Sequence, residues 1–232
     1  MNKYLEIGID AFNASFVEEL AKGEGKVFRA GGRPTKAMPN GEDDKWWREN
    51  APAMIQSWIS WRQQNPNLHV WSIEGVPAIE LPVQAEIAVN DSTVVLLKGF
   101  IDRVFVDANT GELLICDLKT GKNAPSFAAQ LAFYRRALKS THGVNAQYGA
   151  YWMARTGALS EVHNLDNFSD EIVDYWVRTT YAGVSQGLFL PNVTNMCKGC
   201  GVRKHCYVFN PDAKFSPVNA RISQPIAGGD DE

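Results

Sequence analysis

KGFIDRVFVDANTGELLICDLKTGKNAPSFAAQLAFYRRAL, residues 98–138, reads as strand, turn, strand and helix in succession. Val94 to Val106 is rich in Val, Ile, Leu and Phe, and Glu112 to Lys119 is a short apolar run ending in charge, which is strand composition on both sides. Between them, Asp107-Ala108-Asn109-Thr110-Gly111 is turn chemistry, with Asn and Gly able to take positive φ. A connection over Ala108 to Gly111 pairs Asp107 with Glu112. Counting back along an antiparallel ladder then sets Asp102 opposite Asp117, and paired residues share a face. Side chains alternate along a strand, so Lys119 points the way Asp117 does, while Cys116 and Leu118 point to the other side. Two carboxylates and one ammonium therefore converge.

Two carboxylates facing each other across a ladder repel, and a cation between them resolves the conflict. Oxygen ligands of this kind suit a hard ion such as Mg²⁺ or Mn²⁺. A lysine beside such an ion can position a water or offset charge on a pentavalent phosphate, so the expected chemistry is phosphodiester hydrolysis. The structural alternative is that Asp102 pairs with Arg103 or another base, Asp117 ends its strand and Lys119 is solvated. The next segment bears on the choice. Thr120 to Pro125 is a loop with a proline near a helix start, and Ser126 to Ser140 is expected to be helical. Phe127, Gln130, Leu131, Tyr134 and Leu138 then share one face. Gln130 and Tyr134 place an amide and a phenol on an otherwise apolar stripe, as site residues or as satisfied polar groups of a packed helix.

Gly99-x-Ile101-Asp102-Arg103, then Asp117-Leu118-Lys119-Thr120-Gly121, then Gln130-x-x-x-Tyr134 resemble, in order and spacing, the successive motifs of the PD-(D/E)XK nuclease superfamily. The last element is similar to that of the RecB-type branch, which includes CRISPR-associated and phage exonucleases. The resemblance implies a restriction-endonuclease-like fold, with Asp102 and Asp117 as metal ligands and the Leu118 carbonyl completing the shell. It makes Lys119 the catalytic lysine, with Gln130 and Tyr134 contacting DNA or buttressing the site. A glutamate on the preceding strand joins or flanks the metal in the family, and Glu80 is the candidate; Glu80 or Glu86 facing water is the alternative. The implied activity is a Mg²⁺- or Mn²⁺-dependent deoxyribonuclease, an exonuclease on single strands or duplex ends. Its implied partners are DNA and proteins of recombination, CRISPR or phage replication. A degenerate nuclease fold that binds DNA or protein without cutting is the rival reading, and a small metal-binding interaction domain built on the cysteines is a third.

Three of the four cysteines form Cys197-x₂-Cys200-x₅-Cys206 in a Gly-rich stretch after Pro191, and metal binding fits this spacing better than a disulfide framework. Cys116, on the face opposite Asp117, is expected in the core. The resemblance implies an iron–sulfur cluster (4Fe-4S) at the trio; a Cys₃His zinc site with His205 is the alternative. In the family a fourth cysteine near the N-terminus and a histidine on an N-terminal helix complete these sites. Here neither is present, since His69, His142, His163 and His205 all come later. The chain is therefore expected to begin after that segment, with activity impaired accordingly.

The remainder reads as support. With 232 residues, 45% hydrophobic and 21% charged, the chain can bury a large core as one domain with appendages. No run of about 18 apolar residues exists, the start MNKYLEIGID is no signal peptide, and a cytoplasmic location with no membrane partner is expected. The formal net charge of −3 does not argue against nucleic acid, because Arg221 to Glu232 alone carries a net −2. Residues 1–22 are expected to form an amphipathic helix ending at Gly23. The loop that follows carries Lys26, Arg29, Arg33 and Lys36, either solvated or on phosphate. Glu42 to Asn65 is helical with an interruption at Pro52, and its four tryptophans suit core packing or, alternatively, base stacking. Strands are expected over His69–Ile73, Ala78–Val89, Gln147–Arg155 and Glu161–Leu165, and a helix over Ser169–Gln186 closed by Gly187. The fold class is α/β, a central mixed β-sheet flanked by helices with a C-terminal Cys-rich metal-binding loop. Its parts are residues 1–41 (helix and basic loop), 42–190 (nuclease core), 191–210 (cysteine segment) and 211–232 (flexible acidic tail).

Overall fold

The computed structural model describes residues 3–22, 41–188, 193, 197, 200, 202–206, 208 and 209. The chain forms two compact units, Met1–Ala85 with Lys98–Ser169, and Glu86–Leu97 with Asp170–Glu232. Along the chain run α1 (Lys3–Lys22), α2 (Asp44–Gln64), β1 (Leu68–Val70), β2 (Ser72–Ile73), β3 (Val76–Pro77), β4 (Ile79–Asn90) and β5 (Thr93–Asp107). They are followed by β6 (Leu113–Lys119), α3 (Ala129–His142), β7 (Tyr148–Met153), β8 (Ala158–Leu159), β9 (His163–Asn164) and α4 (Asp170–Ser185).

A seven-stranded sheet carries the order β1-β5-β6-β7-β8, with β4 also paired to β5 and β9 to β7. β5 and β6 are antiparallel, with Val104 opposite Ile115 and Arg103 opposite Cys116. The turn that sets this register closes as its residues require: Asp107 N donates to Glu112 O at 3.0 Å, Gly111 N donates to Asp107 O at 2.7 Å, and Gly111 takes φ 75°. The same count places Asp102 across from Asp117. β7 joins β6 in parallel, with Asp117 beside Tyr151, and α3 supplies the crossover. The sheet is therefore mixed, curled and flanked by helices, a restriction-endonuclease-like fold.

Alternation along β6 sends its two sets of side chains to different helices. Leu114 and Cys116 join Trp61 of α2, Phe105, Ala150 and Trp152 in a buried cluster packed by Met54 and Trp58. Burial pushes the Cys116 thiol up to about 12, with Asp117's charge adding to the shift, so Cys116 is an inert core residue as its place on the strand foretold. On the other face Gly149 lets β7 approach α3, since a Cβ there would lie 3.2 Å from Leu131 Cβ. α1 packs on α2, and at Gly8 a Cβ would sit 2.6 Å from Ile55 Cγ2.

Several boundaries differ from expectation. α2 runs unbroken through Pro52, capped by Asp43, whose side chain accepts from Trp46 N. One missing N–H is outweighed because the helix buries Trp47 and Ala51 before the proline and Trp61 after it. α3 begins at Ala129 rather than Ser126 and has no side-chain cap. Phe127 stays outside it, 56% exposed, its ring 6.0 Å from that of Phe168. The strand expected over His69–Ile73 is split at Trp71, whose N–H goes to Val104 O and whose carbonyl accepts from Ala78 N. The strand expected over Glu161–Leu165 is cut to His163–Asn164, because the Asn164 side chain accepts from Asp166 N and opens a 3-10 turn.

In the second unit, α4 starts with Asp170 and Glu171 and ends where Gly187, at φ 70°, donates to Val184 O. Arg178 Nε holds Ala88 O at 3.0 Å within that unit. The basic loop after residue 22 and the acidic tail lie outside the described residues. Among the described residues no helix is long and apolar enough to cross a membrane.

Candidate active site

The end of β6 and the first turns of α3 build one hydrogen-bonded set. Gln130 and Tyr134 are four apart on α3, which stacks them on one face. Gln130 Nε2 donates to Asp117 Oδ1 at 2.9 Å and lies 2.9 Å from the Tyr134 hydroxyl, while Gln130 Oε1 accepts from Lys119 Nζ at 3.0 Å. Lys119 Nζ closes the ring, 2.6 Å from Asp117 Oδ2. That contact is a close ion pair between the ammonium and the buried carboxylate. The Asp117 side chain is 3% exposed and that of Lys119 30%, so the ammonium is the end of the pair that reaches solvent.

Asp102 stands across the ladder. Its Oδ2 accepts from Leu118 N at 2.7 Å. Lys119 O accepts from Ala154 N on the β7 side, so strand alternation turns the Leu118 carbonyl to the side of β5 and Asp102. Burial raises the Asp117 pKa; the Lys119 ammonium works against that rise and the Asp102 charge adds to it. Burial likewise raises Tyr134, with Gln130 opposing and Asp117 and Asp102 reinforcing. Gly99 makes room for the Tyr134 ring: a Cβ there would meet Tyr134 Cε1 at 3.3 Å.

Asp102, Asp117, Lys119, Gln130 and Tyr134 thus come together as the spacing of the motifs requires. Glu80 does not join them. It is exposed at φ 48°, and its carboxylate lies 3.9 Å from Arg103 Nη1, on the residue paired with Cys116 rather than with Asp117. Two further residues belong to the neighbourhood. Tyr151, buried beside Asp117, has the Lys119 ammonium 5.7 Å from its ring centroid, and burial next to Asp117 pushes its phenol up to about 12. Arg155 donates from Nε to Thr120 O, the residue after Lys119, and from Nη2 to the buried carboxylate of Glu42 at 2.7 Å. Neither had a readable signal. β7 is reached through a helical crossover that fixes no register in advance, and Glu42 is 113 residues away from Arg155.

An acid pair and a lysine lie at the middle of a curled mixed sheet on a restriction-endonuclease-like fold, locked by an amide from the crossover helix. The family model of the PD-(D/E)XK nuclease superfamily matches residues 11–207, and the chain belongs to that superfamily. No curated protein matches it. The substrate class that goes with the superfamily is nucleic acid.

The residues fit a hard divalent ion. Two carboxylates in facing register and a carbonyl turned toward them are an all-oxygen donor set, and Mg²⁺ commonly uses only one or two protein carboxylates. Among the described residues no three His, Cys, Asp or Glu side chains are grouped to share an ion. Cys197, Cys200 and Cys206 are linked by successive backbone turns, Cys200 N donating to Cys197 O and Arg203 N to Cys200 O.

Proposed function

We propose that the protein is a Mg²⁺- or Mn²⁺-dependent deoxyribonuclease of the RecB type that degrades DNA from single strands or duplex ends. The closed ring of Asp117, Lys119 and Gln130 carries this reading, because a lysine merely solvated at a strand end would not be held by an acid and an amide at once. The Gln130–Tyr134 contact supports the RecB-type assignment.

Lys119 is fixed at two points, so its ammonium meets a phosphate with little loss of side-chain freedom and offsets charge that builds on the phosphoryl oxygens. Gln130 cannot release either partner without losing a hydrogen bond in a buried site, so it holds Asp117 and Lys119 at one spacing. Tyr151, paired with Asp117 across the ladder, sets its ring 5.7 Å from the ammonium. When bound, a divalent ion supplies Lewis-acid polarisation of the phosphate and a more acidic water; Asp102, Asp117 and the Leu118 carbonyl are the groups that would hold it.

The test is digestion of a fluorescent linear duplex, a circular duplex and a single strand with Mn²⁺, by wild type, Asp117→Ala and Lys119→Ala. Linear DNA degraded from its ends, circular DNA spared, and a loss of at least about a hundredfold in each variant support the reading. Wild type without activity, or variants equal to it, leaves a fold that binds without cutting.

A further inference from the structure

We propose that the groove beside β5 is a single-stranded DNA subsite in which Phe100 stacks a nucleobase and Lys98 meets a backbone phosphate. This rests on the nuclease reading and adds the place where the strand lies. The groove, of about 360 Å³, is lined by Pro82, Gln84, Lys98, Gly99, Phe100 and His142 among others, a size within the range of small-molecule sites.

Four observations favour a nucleotide strand over other occupants. Phe100 is 61% exposed although the next residue, Ile101, is fully buried, so a π-face is presented to solvent. The lining includes a lysine and no carboxylate, the charge balance a phosphate needs. The wall is rigid: Thr141 Oγ1 accepts from Gln84 N at 2.7 Å and donates to Gln84 O at 2.8 Å. His142, whose ring carries hydrogen-bonding nitrogens, also lines that wall.

The groove is also joined to the chemistry. Gly99 lines it and abuts Tyr134, which contacts Gln130, which bonds Asp117. Phe100 precedes Asp102 by two residues, about 7 Å along a strand, a span suited to a neighbouring nucleotide. Aromatic stacking with a nearby cation is how sequence-tolerant single-strand sites are made.

The test is fluorescence anisotropy of a labelled oligothymidylate with the full chain in EDTA, where no cutting occurs, alongside the Mn²⁺ digestion assay. Phe100→Ala is expected to weaken binding about tenfold and Phe100→Tyr to keep it. Wild type is expected to bind an abasic oligonucleotide less well than oligothymidylate, a difference that Phe100→Ala erases. Lys98→Ala is expected to reduce the slope of log K against log salt by about 0.7. Phe100→Ala binding as tightly as wild type, while wild type cuts and Asp117→Ala does not, overturns the groove and leaves the nuclease reading standing. Wild type that neither binds nor cuts overturns both. Unchanged DNA affinity with an altered oligomeric state of Phe100→Ala by light scattering makes the face a protein contact and also overturns the subsite.

Discussion

Asp117 is 2% exposed, and removing its carboxylate from water raises its pKa more than Lys119 lowers it; Asp102 adds to the rise. The sign of the consequence for stability follows. An acid whose folded pKa lies above the unfolded value near 3.9 binds protons more tightly when folded, so wild-type stability falls as pH rises from that value through the folded pKa. Asp117→Asn has no such titration. In metal-free buffer at pH 7–8 its melting temperature is expected to exceed that of wild type by a few degrees, with the gap closing toward acid pH. Mn²⁺ should then raise the wild-type value and leave the variant unmoved. A variant that melts lower at neutral pH would mean that the pairing with Lys119 outweighs the burial. This geometry was legible because the residues are close in sequence and share faces by simple rules. The turn 108–111 fixes the pairing of the acids, strand alternation adds Lys119, and helical spacing adds Gln130 and Tyr134. Glu80 stands apart from this count: it takes positive φ near the start of β4 and its side chain lies near Arg103.

At the scale of elements, α2 tests whether its tryptophans serve the core or the ligand. Trp61 is 7% exposed, stacked at 5.4 Å on Trp58 and edge-on at 5.9 Å to Phe105 of β5. Trp61→Ala is expected to cost about 3–5 kcal/mol in urea unfolding, through lost burial and a cavity under the sheet. The affinity of the folded fraction for oligothymidylate should stay as it was. A variant as stable as wild type but weaker on DNA would return Trp61 to the base-stacking reading. Periodicity identified the helix but could not show that it survives Pro52, because the proline's cost is local and its compensation comes from Phe105, Leu114 and Trp152, remote in sequence. The start of α3 differs for a similar reason: Pro125 suits a helix beginning at Ser126, yet the Phe127 ring packs with that of Phe168, 41 positions later.

At the scale of the whole molecule, the site depends on a contact that no local pattern announces. Arg155, just past β7, reaches Glu42 ahead of α2, Thr120 after β6 and the Trp46 ring, whose centroid lies 4.7 Å from its guanidinium. One side chain thus ties the helix on one face of the sheet to the strand end that carries Lys119. Glu42 is 3% exposed, and losing one charge-assisted hydrogen bond at a buried carboxylate costs about 1.5–3 kcal/mol. Arg155→Ala is therefore expected to lower stability by that order in urea unfolding and also to lower kcat at saturating DNA, because Thr120 loses its anchor and Lys119 its fixed spacing. Glu42→Gln keeps the bond from Arg155 to Thr120, so it should lower stability while leaving the kcat of the folded enzyme close to wild type. The pair of variants separates positioning from stability: an equal loss of kcat in both would show that Arg155 acts on the reaction only by keeping the chain folded.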